Sequence, residues 1–524
     1  MKKKEFILGL TVLLLLFLVY YYLSNLYFSA FDLPDSFGRN HPYAKNIFSF
    51  IFFSLLLFAG LLVILEGKDP AKTSAWLLVI IFLPVVGFIL YLIFGRQFRK
   101  KRISAKKKML NNQFTDLPIE LLDALPQAPE ELPPGLDIVR EKNRLIRLIF
   151  NNATFPPTIN NEIKVLSDGK EIFAAFLRAM EKAEKYIYLE TYIFRNDRLG
   201  TTIGTLLCAK ARRGIKVRVL YDGLGSRHLS ADFIAQLRAS GVEIEAFFPI
   251  NRWPIHRRIN YRNHRKILVV DGTIGFIGGA NIGDEYMGEN PQFGYWRDTQ
   301  LELRGNGVYF LQRIFQQDWD FATNTPREQT VEHFNPPHIP SGNRIVQITA
   351  SGPDTQWEAI MQVYYYSIAT AEKSVYITSP YFIPNESIFT ALKTTALSGV
   401  DVKILLPAKP DYRIVYWAAM SYLEELLEAG IEIYLYQKGF IHAKVLTIDG
   451  IISSIGSANM DQRSFSLNFE VNAFIYDQDT ALRLQKDFLA DLQHAKKLEL
   501  ETFRQRPLRH HFAESVARLF SPLL

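Results

Sequence analysis

Cysteine is almost missing from this chain of 524 residues. The single copy, Cys208, permits no internal disulfide and no multi-cysteine zinc or iron–sulfur site. Clustered carboxylates and any His-Glu-x-x-His run are also lacking, so the sequence calls for no metal and no cofactor. Nor is there the depletion of apolar residues that marks disorder: hydrophobic residues make up 48% and charged residues 22%. A basic body is absent as well, although a formal charge of +7 first suggests a nucleic-acid or acidic-membrane partner. Residues 1–110 hold 15 Lys+Arg against 5 Asp+Glu, a net of +10, which leaves −3 for everything after them. A nucleic-acid groove on the larger part is therefore excluded as the source of the charge.

What the N-terminal end does contain is apolar and charge-free over three stretches: Phe6 to Ala30, Ile47 to Leu65 and Thr73 to Gly95. About 20 helical residues span the hydrocarbon core of a bilayer, so each stretch is long enough. We read 1–110 as a membrane region with helices at about 6–28, 47–65 and 73–95. Lys2, Lys3 and Lys4 precede the first run as they would a signal peptide, but no small-residue cleavage site follows, which favours a retained anchor. Arg96, Arg99, Lys100, Lys101, Arg102, Lys106, Lys107 and Lys108 follow the third run and place that flank, with the catalytic part beyond it, in the cytoplasm. The first run must then begin outside, against its own lysines. The same flank attracts anionic headgroups.

Residues 111–160 form a linker, rich in proline and acidic side chains, and a lead-in helix. Beyond it the pattern is α/β and the chain repeats itself. Tyr186–Phe194 (YIYLETYIF) resembles Val375–Phe382 (VYITSPYF), and Gly241–Glu245 (GVEIE) resembles Gly430–Tyr434 (GIEIY). His264-x-Lys266 with Asp271-Gly272 recurs as His442-x-Lys444 with Asp449-Gly450, and Gly278-Gly279-Ala280-Asn281 recurs as Gly456-Ser457-Ala458-Asn459, both at an offset of 178. We expect two related α/β units in tandem, 161–335 and 336–524, about a pseudo-twofold axis on which one site takes a His and a Lys from each.

On a strand, His and Lys at i and i+2 project from one face. The aspartate lies seven residues after the histidine and just before glycine. We therefore read Asp271 and Asp449, the third members of the two catalytic sets, as structural or second-shell carboxylates rather than proton carriers. The glycine turns would bring Asn281 and Asn459 back beside the His and Lys. Such a set suits a phosphodiester. Lysines and asparagines hold non-bridging oxygens, one histidine attacks phosphorus, and the other protonates the leaving alkoxide and then deprotonates an incoming hydroxyl. Each imidazole needs an orienting acid; Asp298 and Glu470 follow the two motifs at similar distances and are the candidates.

The doubled HxKxxxxD with its GGxN and GSxN turns resembles the phospholipase D superfamily. Asn260–Lys266 (NYRNHRK), Phe276–Tyr286 (FIGGANIGDEY), Phe293–Asp298 (FGYWRD) and Gly456–Ser464 (GSANMDQRS) more closely resemble bacterial cardiolipin synthases, as do Ser74-Ala75-Trp76 and Pro84-Val85-Val86-Gly87. The resemblance implies an α/β fold of two phospholipase D-like α/β/α units behind transmembrane helices in a bacterial cell membrane. It also implies transfer of a phosphatidyl group between two phosphatidylglycerol molecules, giving cardiolipin and glycerol. His264 would then be the nucleophile and His442 the general acid/base. Residue types at the motif do not separate transfer from hydrolysis by water.

Three further features carry expectations. The segment Phe247–Arg262, about 11 residues longer than its counterpart, holds Arg252, Trp253, His256, Arg257, Arg258, Tyr261 and Arg262, and reads as a headgroup-facing lid or a solvated loop. Leu508, Phe512, Val516, Leu519, Phe520 and Leu523 follow helical spacing and suit either a membrane surface or packing on the domain. Tyr381-Phe382-Ile383-Pro384 is either cleft lining or core.

Overall fold

The computed structural model describes residues 54, 56–65, 70–91, 95, 138, 141–153, 155–249, 260–324, 342–355 and 357–524. The first apolar run, the basic flank at 96–108, the proline-rich linker and residues 250–259 of the extra segment, His256 among them, lie outside the described residues. Two units are distinguished, Met1–Arg99 and Lys100–Leu524.

In the first unit, residues 56–65 are helical, and the third apolar run is two helices instead of one: α1 (Pro70–Phe82) and α2 (Pro84–Leu90). The break falls at Leu83 because Pro84 has no N–H to continue the ladder. Leu83 N–H still reaches Val79 O at 2.9 Å and closes α1. Ala59, Val63, Ile80 and Tyr91 make a small buried cluster, while Phe58, Leu61, Leu65, Phe82 and Val86 stay exposed. An apolar exterior of this kind suits lipid better than water. Among the described residues, no helix is long and apolar enough to cross a membrane.

The second unit opens with α3 (Asn143–Ala153) and continues in two halves. The first comprises β1 (Thr158–Asp168), α4 (Gly169–Glu181), β2 (Tyr186–Thr191), α5 (Arg198–Arg212), β3 (Lys216–Asp222), α6 (Ala231–Ala239), β4 (Glu243–Phe247), β5 (Ile267–Val270), β6 (Ile274–Gly278), β7 (Tyr295–Gly305) and α7 (Val308–Thr323). The second opens with β8 (Arg344–Ser351), α8 (Ala359–Ala369), β9 (Ser374–Thr378), β10 (Phe382–Ile383), α9 (Glu386–Leu397), β11 (Asp401–Pro407), α10 (Arg413–Glu428) and β12 (Glu432–Tyr436). It continues through β13 (Gly439–Ile441), β14 (Val445–Ile448), β15 (Ile452–Gly456), β16 (Met460–Asp461), α11 (Gln462–Ser466), β17 (Glu470–Tyr476) and α12 (Gln478–Leu492). Three short elements close the chain: β18 (Ala495–Lys497), α13 (Leu500–Arg504) and α14 (Leu508–Leu519).

One sheet runs through both halves in the order β18-β12-β11-β9-β14-β15-β17-β8-β1-β7-β6-β5-β2-β3-β4. Outward from the β8–β1 pair, each half repeats the same sequence of antiparallel and then parallel neighbours. β5, β6, β14 and β15 are buried at every position, as strands covered on both faces are; β5 and β6 accordingly carry no polar side chain, while β14 buries Thr447 and β15 buries Ser453 and Ser454. A shared core joins Val269, Leu301 and Phe315 to Val346, Val445 and Phe488, so the halves fold against one another. Helix starts are fixed by acids: Asp168 caps α4 at Glu171 N, Asp197 caps α5 at Gly200 N, and Asp477 caps α12 at Thr480 N.

Candidate active site

Each histidine lies just ahead of a central strand, and each is tied by backbone to the other half. His264 N–H donates to Phe469 O at 2.9 Å, and Phe469 N–H to Arg262 O at 2.8 Å. In the mirror arrangement β13 pairs in parallel with the start of β7, and His442 N–H donates to Arg297 O at 2.7 Å. Each histidine is thereby laid alongside the acid of the opposite half. His264 Nδ1 meets Glu470 Oε1 at 3.0 Å and Oε2 at 3.1 Å. His442 Nδ1 meets Asp298 Oδ2 at 2.8 Å. The sequence nominates both acids without saying which histidine each serves; the structure pairs them crosswise.

Both carboxyls are completely buried. Burial alone raises a carboxyl's pKa, but for Asp298 the His442 imidazole and Lys444 ammonium outweigh it, and for Glu470 so do His264 and Lys266, so both end below the ordinary value. An ionised carboxylate only accepts, so each Nδ1 carries the hydrogen and each Nε2 presents its lone pair. Burial and the neighbouring lysines drive the imidazoles down, His264 to about 4 and His442 to about 3.

The lysines differ. Lys266 Nζ donates to His264 O at 2.6 Å. Lys444 Nζ donates to His442 O at 2.5 Å and also stands 2.9 Å from His442 Nε2. Burial pulls Lys266 well below its usual value and Lys444 to about 8. Lys444 acts on the His264 imidazole and Lys266 on that of His442, so the two His/Lys pairs share one electrostatic cluster.

Asp271 and Asp449 sit at the far ends of their strands. Each occupies the left-handed region, φ 53° and 57°, followed by Gly272 and Gly450 at 69° and 67°, which is the turn that Asp-Gly favours. The Asp271 carboxylate takes the N–H groups of Glu184, Lys185 and Tyr186, and Asp449 takes those of Glu372, Lys373 and Ser374. Asn281 accepts from Ile193 N–H at 3.1 Å and donates to the Tyr286 hydroxyl at 2.9 Å, whose ring lies 6.0 Å from His442. The backbone N–H of Asn459 donates to Ser464 Oγ at 3.1 Å, and its amide oxygen is buried with no partner among the described residues.

Sequence reasoning passed over the aromatic walls. Tyr192 lies edge-on to His264 at 4.9 Å, and Trp296 lies 5.3 Å from His442. Ser457, inside the GSAN turn, donates its hydroxyl to Glu470. Trp296 and Ser457 belong to motifs already singled out, and Tyr192 to the repeated strand, so the signal was positional. Arg262, in the segment read as a headgroup-facing lid or a solvated loop, is buried in an ion pair with Asp222 at 3.3 Å. Tyr381 donates to Asp411, and both border an apolar groove with Phe382, Leu406 and Val415. No group of three or more metal-ligating side chains occurs among the described residues.

Two α/β halves that exchange orienting acids across a paired His-x-Lys motif define the phospholipase D superfamily. The sequence profile described as "Cardiolipin synthase, PLD-like domain" matches residues 176–319 and 364–492, and that described as "Phospholipase_D-nuclease N-terminal" matches 54–96. The chain is 46% identical over 484 residues to a protein of Geobacillus kaustophilus named "Cardiolipin synthase", covering 91% of this chain and 94% of that one. It is 43% identical over 490 residues to the "Major cardiolipin synthase ClsA" of Bacillus subtilis, covering 92% and 99%. The fold is similar to that of phosphatidylserine synthase from Haemophilus influenzae, at a TM-score of 0.55 and 16% identity over 73% of this chain and all of that one. The chain belongs to the bacterial cardiolipin synthase family, whose members are membrane-associated phosphatidyltransferases.

Proposed function

We propose that the chain makes cardiolipin from two molecules of phosphatidylglycerol through a phosphatidyl-histidine on His264. The observation that carries this reading is the difference at the two Nε2 atoms: that of His442 is held by Lys444, whereas that of His264 makes no hydrogen bond among the described residues. In the first step His264 Nε2 attacks phosphorus while the bond from phosphorus to the glycerol oxygen breaks. Lys444 passes a proton across its hydrogen bond to His442 Nε2, which hands it to the departing alkoxide, and the alkoxide leaves as glycerol. Lys266 stabilises the non-bridging oxygens, and Lys444 stays on Nε2 as the proton source of His442. In the second step a hydroxyl of another phosphatidylglycerol gives its proton to His442 and attacks phosphorus, and the P–N bond breaks to regenerate His264.

Asp298 and Glu470 hold the imidazoles in the required tautomer, and Asp271 and Asp449 support the strands. The two units, 161–335 and 336–524, are read as related by a pseudo-twofold axis through this site. The N-terminal segments are read as a multi-pass anchor that leaves the catalytic unit on the cytoplasmic side, against phosphatidylglycerol and other anionic lipids. Supplying the purified protein with phosphatidylglycerol alone should yield cardiolipin and glycerol in equal amounts. Neither product would overturn the reading, and phosphatidic acid as the main product would replace transfer with hydrolysis. Labelling a cysteine introduced near Pro133 in intact cells, without Cys208, tests sidedness.

A further inference from the structure

The C-terminal helix α14 packs on the domain by one face and leaves the other uncovered. Its inner face is fixed to α10: Glu514 and Ala517 are buried, His510 packs on Trp417 at 5.0 Å between ring centroids, and Arg518 lies over Tyr422 and donates to Ser421 O. Arg506 braces it by pairing with Glu514. Its outer face is bare. Leu508 is 86% exposed, Phe512 72% and Leu519 79%, with Val516 and Phe520 exposed beside them. At 100° per residue, positions 508, 512, 516 and 519 fall on one stripe, so these are not scattered surface residues. A helix pinned in this way cannot roll the stripe inward.

From this we propose that the outer face of α14 rests in the surface of a phospholipid bilayer, a contact made by the catalytic unit itself in addition to the N-terminal segments. The choice of occupant rests on the lipid substrate proposed above and on two observations. Five side chains on one short helix fall far below the roughly 20–30 residues a side of a stable protein interface, but suffice for an interfacial helix. Arg509 stands exposed next to the stripe, where it meets anionic headgroups. The pairing of His510 with Trp417 and of Arg518 with Glu425 sets α14 parallel to α10, so Leu508 lies along its first turn. That turn follows exposed Tyr412 and Asp411, which borders the apolar groove and acts on Lys444. A bilayer touching the stripe would therefore lie on the side of α10 that borders this groove.

The test uses the full chain in phosphatidylglycerol-containing nanodiscs, with Cys208 replaced and a single spin label at position 512 or 519. The labels should be relaxed by oxygen and shielded from a water-soluble nickel chelate, and a label at Lys486 should show the opposite. Equal nickel exposure at all three overturns the proposal, as does dipolar coupling between copies, which would make the stripe a contact with a second chain. These readouts stand whatever lipid product the enzyme makes, so their failure is distinct from failure of the proposed reaction. As a second measurement, Phe512→Ser with Leu519→Ser should lower turnover of bilayer phosphatidylglycerol about tenfold while leaving a monomeric short-chain analogue unaffected. Equal loss on both substrates would also count against it.

Discussion

The two halves of the catalytic unit carry nearly the same motif, yet they do not build equivalent histidines. Glu470 grips His264 with both oxygens and is itself held by the Ser457 hydroxyl. Asp298 reaches His442 with one oxygen and takes Thr299 N–H on the other at 2.8 Å. The turn residues match their acids. A Cβ at Gly279 would collide with Asp298 Oδ1, so the first copy needs glycine where the second uses Ser457. Lys444 caps one Nε2, and nothing described caps the other. A duplicated motif thus yields a division of labour: one imidazole with a free lone pair, one coupled to a proton source.

The comparison breaks most sharply if the histidines are removed one at a time. His264→Ala and His442→Ala should each cost about 10⁴-fold or more in turnover of phosphatidylglycerol, because the halves build one site. Half activity after either change would mean two independent sites. A phosphatidyl ester of nitrophenol separates the roles, since that leaving group needs no proton. His442→Ala should still give a burst of nitrophenolate and a trapped adduct on His264, visible by mass spectrometry, and His264→Ala should give neither. The reverse pattern would exchange the assignments.

The acids and their turn residues come next. Glu470→Gln and Asp298→Asn present an amide in place of an acceptor-only carboxylate, releasing the tautomer, and should each lower kcat by about 10²–10⁴-fold. Gly279→Ala must displace Asp298, whose place is fixed by backbone, and should approach the same loss. Ser457→Ala removes one hydrogen bond to a charged acceptor, about 1.5–3 kcal/mol at most, and the remaining donor Asn468 at 3.4 Å should keep the loss near tenfold. Equal effects at Gly279 and Ser457 would contradict the asymmetry.

Much of this site was legible in the linear sequence. The His-x-Lys spacing marks both sets, although each pair lies just ahead of its strand instead of on it, and an Asp-Gly pair before a second apolar run predicts the left-handed turn found at Asp271-Gly272. The exchange of acids was not legible, because Asp298 follows the first motif and Glu470 the second at similar distances, and only the β7–β13 and Asn263–Phe469 pairings carry each acid to the other half. The kink at Pro84 could be read from the residue itself, but not the burial of Arg262, since a charge in a loop gives no sign of a partner 40 residues earlier.

The lysine difference predicts a pH profile. His264 must be neutral to attack, and its pKa of about 4 puts the acid limit there. Lys444 and His442 hold one proton between them, and the Lys444 pKa of about 8 sets the pH above which it is lost. kcat/KM should therefore be level between these values, falling below about 4 as His264 gains a proton and above about 8 as Lys444 loses its charge. Lys444→Arg, slower overall, should move the alkaline limb upward because guanidinium keeps its proton. An unmoved limb would assign it to another group.

The smallest effect on chemistry is expected at the motif's aspartates, where the halves are most alike. Each accepts three backbone N–H groups at the turn leading into β2 or β9, away from the imidazoles, and each sits beside a glycine in the left-handed region. Asp271→Ala or Asp449→Ala strands those donors and removes a side chain that tolerates positive φ, costing about 2–3 kcal/mol of stability for either. The melting temperature should drop by similar amounts in both variants. KM and kcat, measured well below that melting point, should stay within about threefold of the parent. A large loss of kcat with an unchanged melting temperature would instead mean that the carboxylate reaches the reacting atoms.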